Sequence, residues 1–148
     1  MKIFELRTET LLRRPLAEVF AFFADAGNLE ALTPPWLGFR ILTALPIAMG
    51  PGTRIEYQIR LHGLPLRWRS EITAWHPPFR FVDEQRRGPY RLWIHDHTFQ
   101  AEGEATRATD HVRYAVPGGA LVERLLVRRD LERIFRYRQE RVVALLGP

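Results

Sequence analysis

The most informative run of residues in this chain is Tyr90-Arg-Leu-Trp-Ile-His-Asp-His-Thr-Phe99. Alternate side chains of a β-strand point to opposite faces of the sheet. The residues that share one face of this strand are Trp93, His95, His97 and Phe99. Two imidazoles between two aromatic rings are atypical of a solvent-exposed face. The pattern therefore predicts either a sheet face with buried polar partners or the wall of a cavity.

Segments on both sides of this run continue the two-residue alternation that is typical of strands. We predict strands at residues 2–12, 39–45, 53–61, 66–76, 79–87, 90–99 and 111–116, and a polar turn over 102–109. Short turns rich in Gly and Pro separate most of these strands. Such short connections pair neighbouring strands in the antiparallel direction.

Helical patterns occur in two regions of the chain. Pro15 stands at a helix start before residues 17–24, and Asn28 is a predicted cap for a second short helix, Leu29–Leu32. After residue 119, one helix of about 27 residues and about 40 Å is predicted. Its apolar stripe consists of Val127, Leu131, Ile134, Phe135, Val142 and Leu145. This helix is the only predicted element long enough to cover the apolar face of the sheet.

The order of strand, two short helices, six strands and long helix resembles the helix-grip fold of the START, Bet v 1 and polyketide-cyclase superfamily (SRPBCC). The closest points are the opening strand with residues 15–25, then Asn28-Leu-Glu-Ala-Leu-Thr-Pro-Pro35, Phe81-Val-Asp-Glu-Gln85 with Gly88-Pro89-Tyr90, and Trp93-Ile-His-Asp-His-Thr-Phe99. The chain is most similar to small bacterial members described as cyclase/dehydrase-like or START-like. The resemblance implies a single α+β domain over residues 1–148. It also implies a curved antiparallel sheet of about seven strands wrapped around the C-terminal helix, with an apolar cavity between them.

Strand parity brings a group of polar residues to the inner face of the sheet. Tight turns at Pro77-Pro78 and Gly88-Pro89 would align Ser70–Gln85–Trp93, Ile72–Asp83–His95 and Ala74–Phe81–His97. An imidazole beside a carboxylate is suited to acid–base chemistry. A buried histidine also needs a hydrogen-bond partner for stability alone. Catalysis by His95, His97 and Asp83 and a structural or ligand-orienting role are both open, and we favour the second.

Several other kinds of site are disfavoured by the sequence. His95, His97 and Asp83 would provide three metal ligands, but no further histidine falls clearly on that face, so we predict neither a metal nor another cofactor. The chain has no cysteine, which excludes thiolate chemistry. Ser70 is its only serine and lacks a nucleophile-elbow motif. Its paired glycines do not form a phosphate-binding loop.

A cavity of this family would be lined by apolar and aromatic residues with a few polar groups. The predicted ligand-binding residues are Trp36, Phe39, Tyr57, Trp68, Ser70, Phe81, Gln85, Trp93, His95, His97, Phe99, Tyr114, Leu131, Phe135 and Arg138. Trp36 could form the cavity mouth or belong to the core. Arg138 shares the apolar stripe of the last helix, where it would extend to the rim or clamp an anionic ligand. We favour the rim.

Composition and charge disfavour several classes of partner. The net charge is +5, but every basic residue except Lys2 is an arginine, and the arginines are dispersed among acidic residues. We therefore expect no DNA partner, and we disfavour an RNA or ribosome contact through the arginine-rich last helix. No apolar leader or membrane span is visible, which predicts a cytoplasmic protein. We also expect a monomer or weak homodimer. The leading hypothesis is a non-catalytic binder of a lipid, isoprenoid, quinone or polyketide-like molecule. The second is a cyclase/dehydrase-type enzyme, because a fold of this kind does not select one activity.

Overall fold

A computed structural model describes residues 1–147. Its strands are β1 (Phe4–Leu12), β2 (Arg40–Ile41), β3 (Arg54–Leu61), β4 (Leu64–His76), β5 (Arg80–Arg87), β6 (Leu92–Glu102) and β7 (Ala105–Ala115). They form one antiparallel sheet in the order β1-β7-β6-β5-β4-β3-β2. The first strand thus lies beside the last, while all other neighbours follow one another in sequence.

The helices are α1 (Leu16–Phe23), α2 (Leu29–Leu32), α3 (Gly119–Val122) and α4 (Arg128–Leu146). A π-helical turn, Glu123–Val127, joins α3 to α4, and the three segments form one C-terminal helix. Pro15 lies at the N-cap of α1, as predicted. No helix within residues 1–147 is long and apolar enough to cross a membrane.

The predicted helix-grip architecture is confirmed, with an antiparallel, curved seven-stranded sheet and a long C-terminal helix. Two predicted strand ranges need correction. The segment at 39–45 contributes only the two-residue strand β2. The polar turn predicted over 102–109 is wrong, because β7 already begins at Ala105. Thr106 and Ala108 face inward there, and both are buried. Their small side chains fit beneath the helices without giving the strong hydrophobic alternation that signals a strand.

Two helical details also differ from the prediction. Asn28 does not cap α2 with its side chain, because its Nδ2 donates instead to the Phe22 carbonyl oxygen over 2.9 Å. Leu145, predicted on the buried stripe, is 41% exposed. The stripe is buried at Leu131, Phe135 and Val142.

The interior contains two aromatic-rich clusters separated along the sheet. One is built around Phe20, whose ring packs edge-on against Phe81 and Phe99. The other surrounds Trp68 and Trp93, whose ring centroids are 5.2 Å apart. Residues of both clusters line a cavity beneath α4.

Candidate ligand-binding cavity

A partly enclosed cavity of about 180 Å³ lies between the inner face of the sheet, α4 and the segment that follows α2. Its wall is mostly apolar. An apolar cavity of about 150 Å³ in another protein holds benzene, so this space accommodates at least one ring. Its position between sheet and C-terminal helix is the one that the resemblance implies.

Most of the predicted ligand-binding residues line this cavity. They are Phe39, Tyr57, Trp68, Ser70, Phe81, Trp93, His95, His97, Leu131, Phe135 and Arg138, together with the candidate acid–base residue Asp83. The sequence reasoning missed other lining residues, among them Met49, Ile59, Leu61, Tyr90 and Ile134. Ile59 and Leu61 share the inward parity of β3 with Tyr57, and that signal was available in the sequence.

The structure places the predicted residues Trp36 and Gln85 outside the cavity wall. Trp36 is 44% exposed, and its ring packs against Tyr137 and under the guanidinium of Arg133, at 4.0 Å. Gln85 faces the β5–β6 turn. Its Nε2 donates to the Tyr90 carbonyl oxygen over 2.7 Å, and the Tyr90 amide donates to its Oε1 over 3.1 Å. Gln85 therefore positions Tyr90, which lines the cavity.

Phe99 and Tyr114 also lie outside the wall, because other groups occupy their inward faces. Phe99 packs against Phe20 and Phe23 beneath α1. The Tyr114 hydroxyl donates to Glu123 over 2.7 Å. Both side chains are buried as predicted, but neither borders the space.

The polar part of the site is a square of two imidazoles and two carboxylates, which we call the His–Asp cluster: Asp83, His95, His97 and Asp110. His97 Nε2 donates to Asp83 over 2.6 Å, and His95 Nε2 donates to Asp110 over 2.7 Å. The two rings stack with centroids 3.7 Å apart and planes 23° from parallel. All four groups are largely buried.

Prediction and structure differ in how this cluster is paired. The predicted backbone alignment of Asp83 with His95 is confirmed. The Asp83 carboxylate nevertheless bonds to His97, a diagonal neighbour that lies within reach on the same face. The partner of His95 is Asp110, which the sequence reasoning missed because it predicted a turn over residues 102–109 and began the next strand after Asp110.

Arg138 neither extends to the rim nor offers a free clamp. Only 11% of its side chain is exposed, and its Nε and Nη2 donate to the two oxygens of Asp110 over 3.2 and 3.3 Å. The guanidinium also lies over the ring of Phe23, at 5.2 Å. Two of the five N–H donors of the guanidinium are therefore engaged by a resident carboxylate.

A second, smaller polar group lies on β3 and β4. Trp68 Nε1 donates to Ser70 Oγ over 3.0 Å, and the Tyr57 hydroxyl lies 3.5 Å from the same oxygen. Burial raises the pKa of Tyr57, so this hydroxyl stays neutral. The group offers hydroxyl hydrogen bonds to a ligand without adding charge.

Burial and neighbouring charges set the protonation of the cluster. Burial, reinforced by the electrostatic effect of the neighbouring His95 ring, lowers the pKa of His97 to about 4, so the His97 ring is neutral at pH 7. Burial alone would raise the pKa values of Asp83 and Asp110. Hydrogen bonds from the imidazoles and the charge of Arg138 outweigh it, and both pKa values end below the ordinary range. Both carboxylates are therefore ionised near neutral pH.

We expect acid to destabilise the protein through His97. In the unfolded chain His97 binds a proton below about pH 6.5, while in the folded protein its ring stays neutral down to about pH 4. The free energy of unfolding therefore keeps its full value above the pKa of the unfolded chain. It falls by about 2–3 kcal/mol as the pH drops from that pKa to the pKa of the folded protein. Urea unfolding at pH 7, 6 and 5 should show this loss. It should be much smaller in His97→Gln and unchanged in the control His76→Gln, an exposed histidine. An equal loss of stability between pH 7 and pH 5 in wild type and in His97→Gln would contradict the lowered pKa of His97.

The cluster has the composition of a metal site but not its geometry. Donor atoms of Asp83, His95 and His97 lie within 4.8 Å of one another. The two imidazole planes are nearly parallel, however, so their in-plane lone pairs run side by side instead of converging on one point. Both Nε2 atoms already donate to carboxylates. We therefore interpret the cluster as a hydrogen-bonding and proton-holding group.

Comparisons with solved structures agree with this fold. The Zhui aromatase/cyclase from Streptomyces sp. R1128 is 14% identical, with 98% of this chain and 94% of that chain covered and a TM-score of 0.77. Major latex-like protein 151 from Panax ginseng is 12% identical, with 99% of each chain covered and a TM-score of 0.71. The protein TTHA0849 from Thermus thermophilus is 24% identical, with 95% of this chain and 98% of that chain covered and a TM-score of 0.66. At these identities the likeness concerns the fold alone.

Sequence comparison adds the family. No curated protein matches the chain. The profile of the family described as polyketide cyclase / dehydrase and lipid transport matches residues 12–143, which is most of the chain from the end of β1 to near the end of α4. Together with the helix-grip fold, this match shows that the chain belongs to the polyketide cyclase / dehydrase and lipid transport family.

Proposed function

We propose that this protein binds a neutral hydrophobic small molecule, such as a lipid, isoprenoid, quinone or polyketide-like compound, between the sheet and α4. The observation that carries the proposal is the cavity, with an apolar wall and one concentrated polar group, the His–Asp cluster. Ligand sites of this type gain affinity from apolar burial and orientation from a few polar contacts.

The charges around the cavity favour a neutral ligand. Of the described residues that line it, Arg138 is the only lysine or arginine, and it is paired with Asp110. Asp83 is ionised and Asp25 also borders the space. A carboxylate ligand would lose its hydration and meet these negative charges without a free cation to compensate. A hydroxyl or carbonyl group does not carry this cost.

The polar end of the ligand is proposed to lie at Asp83 and His97. An ionised Asp83 carboxylate accepts more hydrogen bonds than the one from His97. A hydroxyl on the ligand would donate to it, while Tyr57 and Ser70 lie on the neighbouring strands to bond a second oxygen. The ring of Phe81, stacked on His97 at 4.1 Å, provides an adjacent flat surface for an unsaturated ligand.

The first experiment identifies any bound molecule. An organic extract of the purified protein is analysed by mass spectrometry, and the intact protein is analysed by native mass spectrometry. We expect a neutral apolar molecule in the extract and a matching mass increase on the protein. An extract and a native spectrum that contain only the bare chain, followed by no binding across neutral lipids, quinones and polyphenols, would contradict the proposal.

A second candidate, a cyclase/dehydrase-type enzyme, is favoured by one observation. The imidazoles of His95 and His97 and the carboxylate of Asp83 lie in the cavity wall, each imidazole is bonded to a carboxylate, and the His97 ring is neutral at pH 7. A neutral imidazole such as His97 is a suitable base for proton removal next to a carbonyl group. Deuterium uptake at such a position of the extracted ligand, dependent on His97, would favour the enzyme over the carrier.

We also propose where the protein acts, in which oligomeric state and with which kind of partner. Residues 1–148 would act as one ligand-binding domain in the cytoplasm, as a monomer or weak homodimer. Several arginines are paired with acidic side chains, for example Arg54 with Glu71, Arg69 with Glu56 and Arg80 with Asp96. This pairing supports a small molecule as the partner and disfavours nucleic acid.

A further inference from the structure

The first turns of the C-terminal helix have their polar and apolar sides reversed. Glu123 is fully buried, while Leu121, Leu125 and Leu126 are 58%, 65% and 65% exposed. A helix that covers a sheet normally buries its leucines and exposes its charges. Three outward leucines within six residues therefore need an explanation that internal packing does not provide.

Glu123 is held inside by specific contacts. It accepts hydrogen bonds from the Tyr114 hydroxyl over 2.7 Å and from Arg128 Nε over 3.0 Å. Burial acts to raise its pKa, but these bonds and the charge of Arg128 lower it below the usual value, so the carboxylate is ionised. The residue begins the π-helical turn Glu123–Val127, and both Leu125 and Leu126 of that turn face outward. The reversal is thus built into the packing of the helix.

Within residues 118–129, the exposed charged side chains are all arginines. Arg124, Arg128 and Arg129 are exposed, and Glu123 is the one acidic residue between positions 118 and 129. The β3–β4 turn lies beside the segment, because His62 Nε2 lies 2.8 Å from Asp130 Oδ2. That turn adds Leu64, which is 67% exposed.

We propose that this leucine–arginine surface, formed by Leu64, Leu121, Leu125 and Leu126 with Arg124 and Arg129, docks on an anionic lipid membrane. Leucines that enter the headgroup boundary and arginines that meet anionic headgroups are the two contributions that hold a protein at such an interface. A second copy of the chain fits less well. A two-fold contact through the same surface would bring each set of arginines against its counterpart.

The docking surface goes beyond the proposed ligand binding and does not depend on it. It does lie close to the cavity along the helix. Leu131 lines the cavity and follows Leu121 by ten residues, about 15 Å along the axis. Docking would therefore bring the end of the helix that borders the cavity to the membrane, where apolar ligands are dissolved.

Co-sedimentation of the full-length protein with vesicles tests the proposal. The protein should bind vesicles of phosphatidylcholine and phosphatidylglycerol in equal parts and should remain in the supernatant with phosphatidylcholine alone. Added salt should release it, since the attraction of arginines to the headgroups is screened. Failure to bind the mixed vesicles at low salt would overturn the proposal.

Matched variants identify the surface. The double change Leu125→Gln and Leu126→Gln should weaken partitioning by at least tenfold, and Arg124→Gln by about fivefold. The controls are Leu11→Gln, an exposed leucine of β1, and Arg113→Gln on the outer face of β7; both should bind as wild type does. Unchanged partitioning of the double variant would overturn the proposal, as would a wild-type dimer that the leucine changes dissociate. Circular dichroism should show that every variant stays folded.

Discussion

Arg138→Met should lower the free energy of unfolding by about 3 kcal/mol, the largest stability effect we expect from a single change in the cavity wall. The change removes the cation that faces both oxygens of Asp110. Asp110 is 16% exposed, so water replaces little of that interaction. Its hydrogen bond from His95 remains, but an ionised carboxylate would then be buried without a guanidinium. Urea unfolding at pH 7 measures the loss.

The partner residue provides the matched test. In the double variant Arg138→Met and Asp110→Asn, position 110 no longer carries a charge that needs a cation, and the asparagine oxygen still accepts from His95. Most of the lost stability should return. Arg113→Met, on the outer face of β7, should change stability by less than about 0.5 kcal/mol. A loss below about 1 kcal/mol for Arg138→Met, or a double variant that is no more stable than the single one, would contradict the pairing.

The sheet was predictable because its inner residues alternate with polar ones over long runs. Ile55 and Ile59 on β3, and Trp93 and His95 on β6, are buried at the predicted parity. The same rule fails where inward positions are small. Thr106 and Ala108 gave β7 the composition of a turn, although Thr106 is fully buried.

That failure explains the main error in the site. Asp110 has the same parity as Val112 and Tyr114, so extending their strand by a few residues would have placed it on the inner face. Without it, the prediction paired His95 with Asp83 and gave Arg138 no counter-ion inside the fold. The periodicity of a strand predicts which face a side chain occupies, but not which of several neighbours it bonds.

Local contacts account for the other differences. Gln85 has the predicted parity, but the main chain of Tyr90 satisfies both ends of its amide. Glu123 was not singled out, because a glutamate on a helix is usually solvent-exposed. Its burial depends on Tyr114 and Arg128 meeting it together, which spacing along the chain does not reveal.

The second large effect concerns ligand binding. Ile59→Trp should weaken the binding of a neutral apolar ligand by at least tenfold while leaving the fold intact. Ile59 is buried on β3 and lines the cavity, so an indole at this position would occupy part of the 180 Å³ that the ligand needs. Overpacking would cost about 1–3 kcal/mol of stability. Ile94→Trp, on the outer face of β6, is the matched control and should bind as wild type does.

The measurement that tests the central claim most directly is a calorimetric titration at pH 7 with 1-naphthol and with its carboxylate counterpart, 1-naphthoate. Wild type and Ile94→Trp should bind 1-naphthol with micromolar affinity and 1-naphthoate at least tenfold more weakly, since the cavity wall has no unpaired cation among the described residues. Ile59→Trp should bind 1-naphthol at least tenfold more weakly than wild type. Equal affinity of Ile59→Trp and wild type for 1-naphthol, or a wild-type preference for the carboxylate, would contradict a neutral apolar ligand in this cavity.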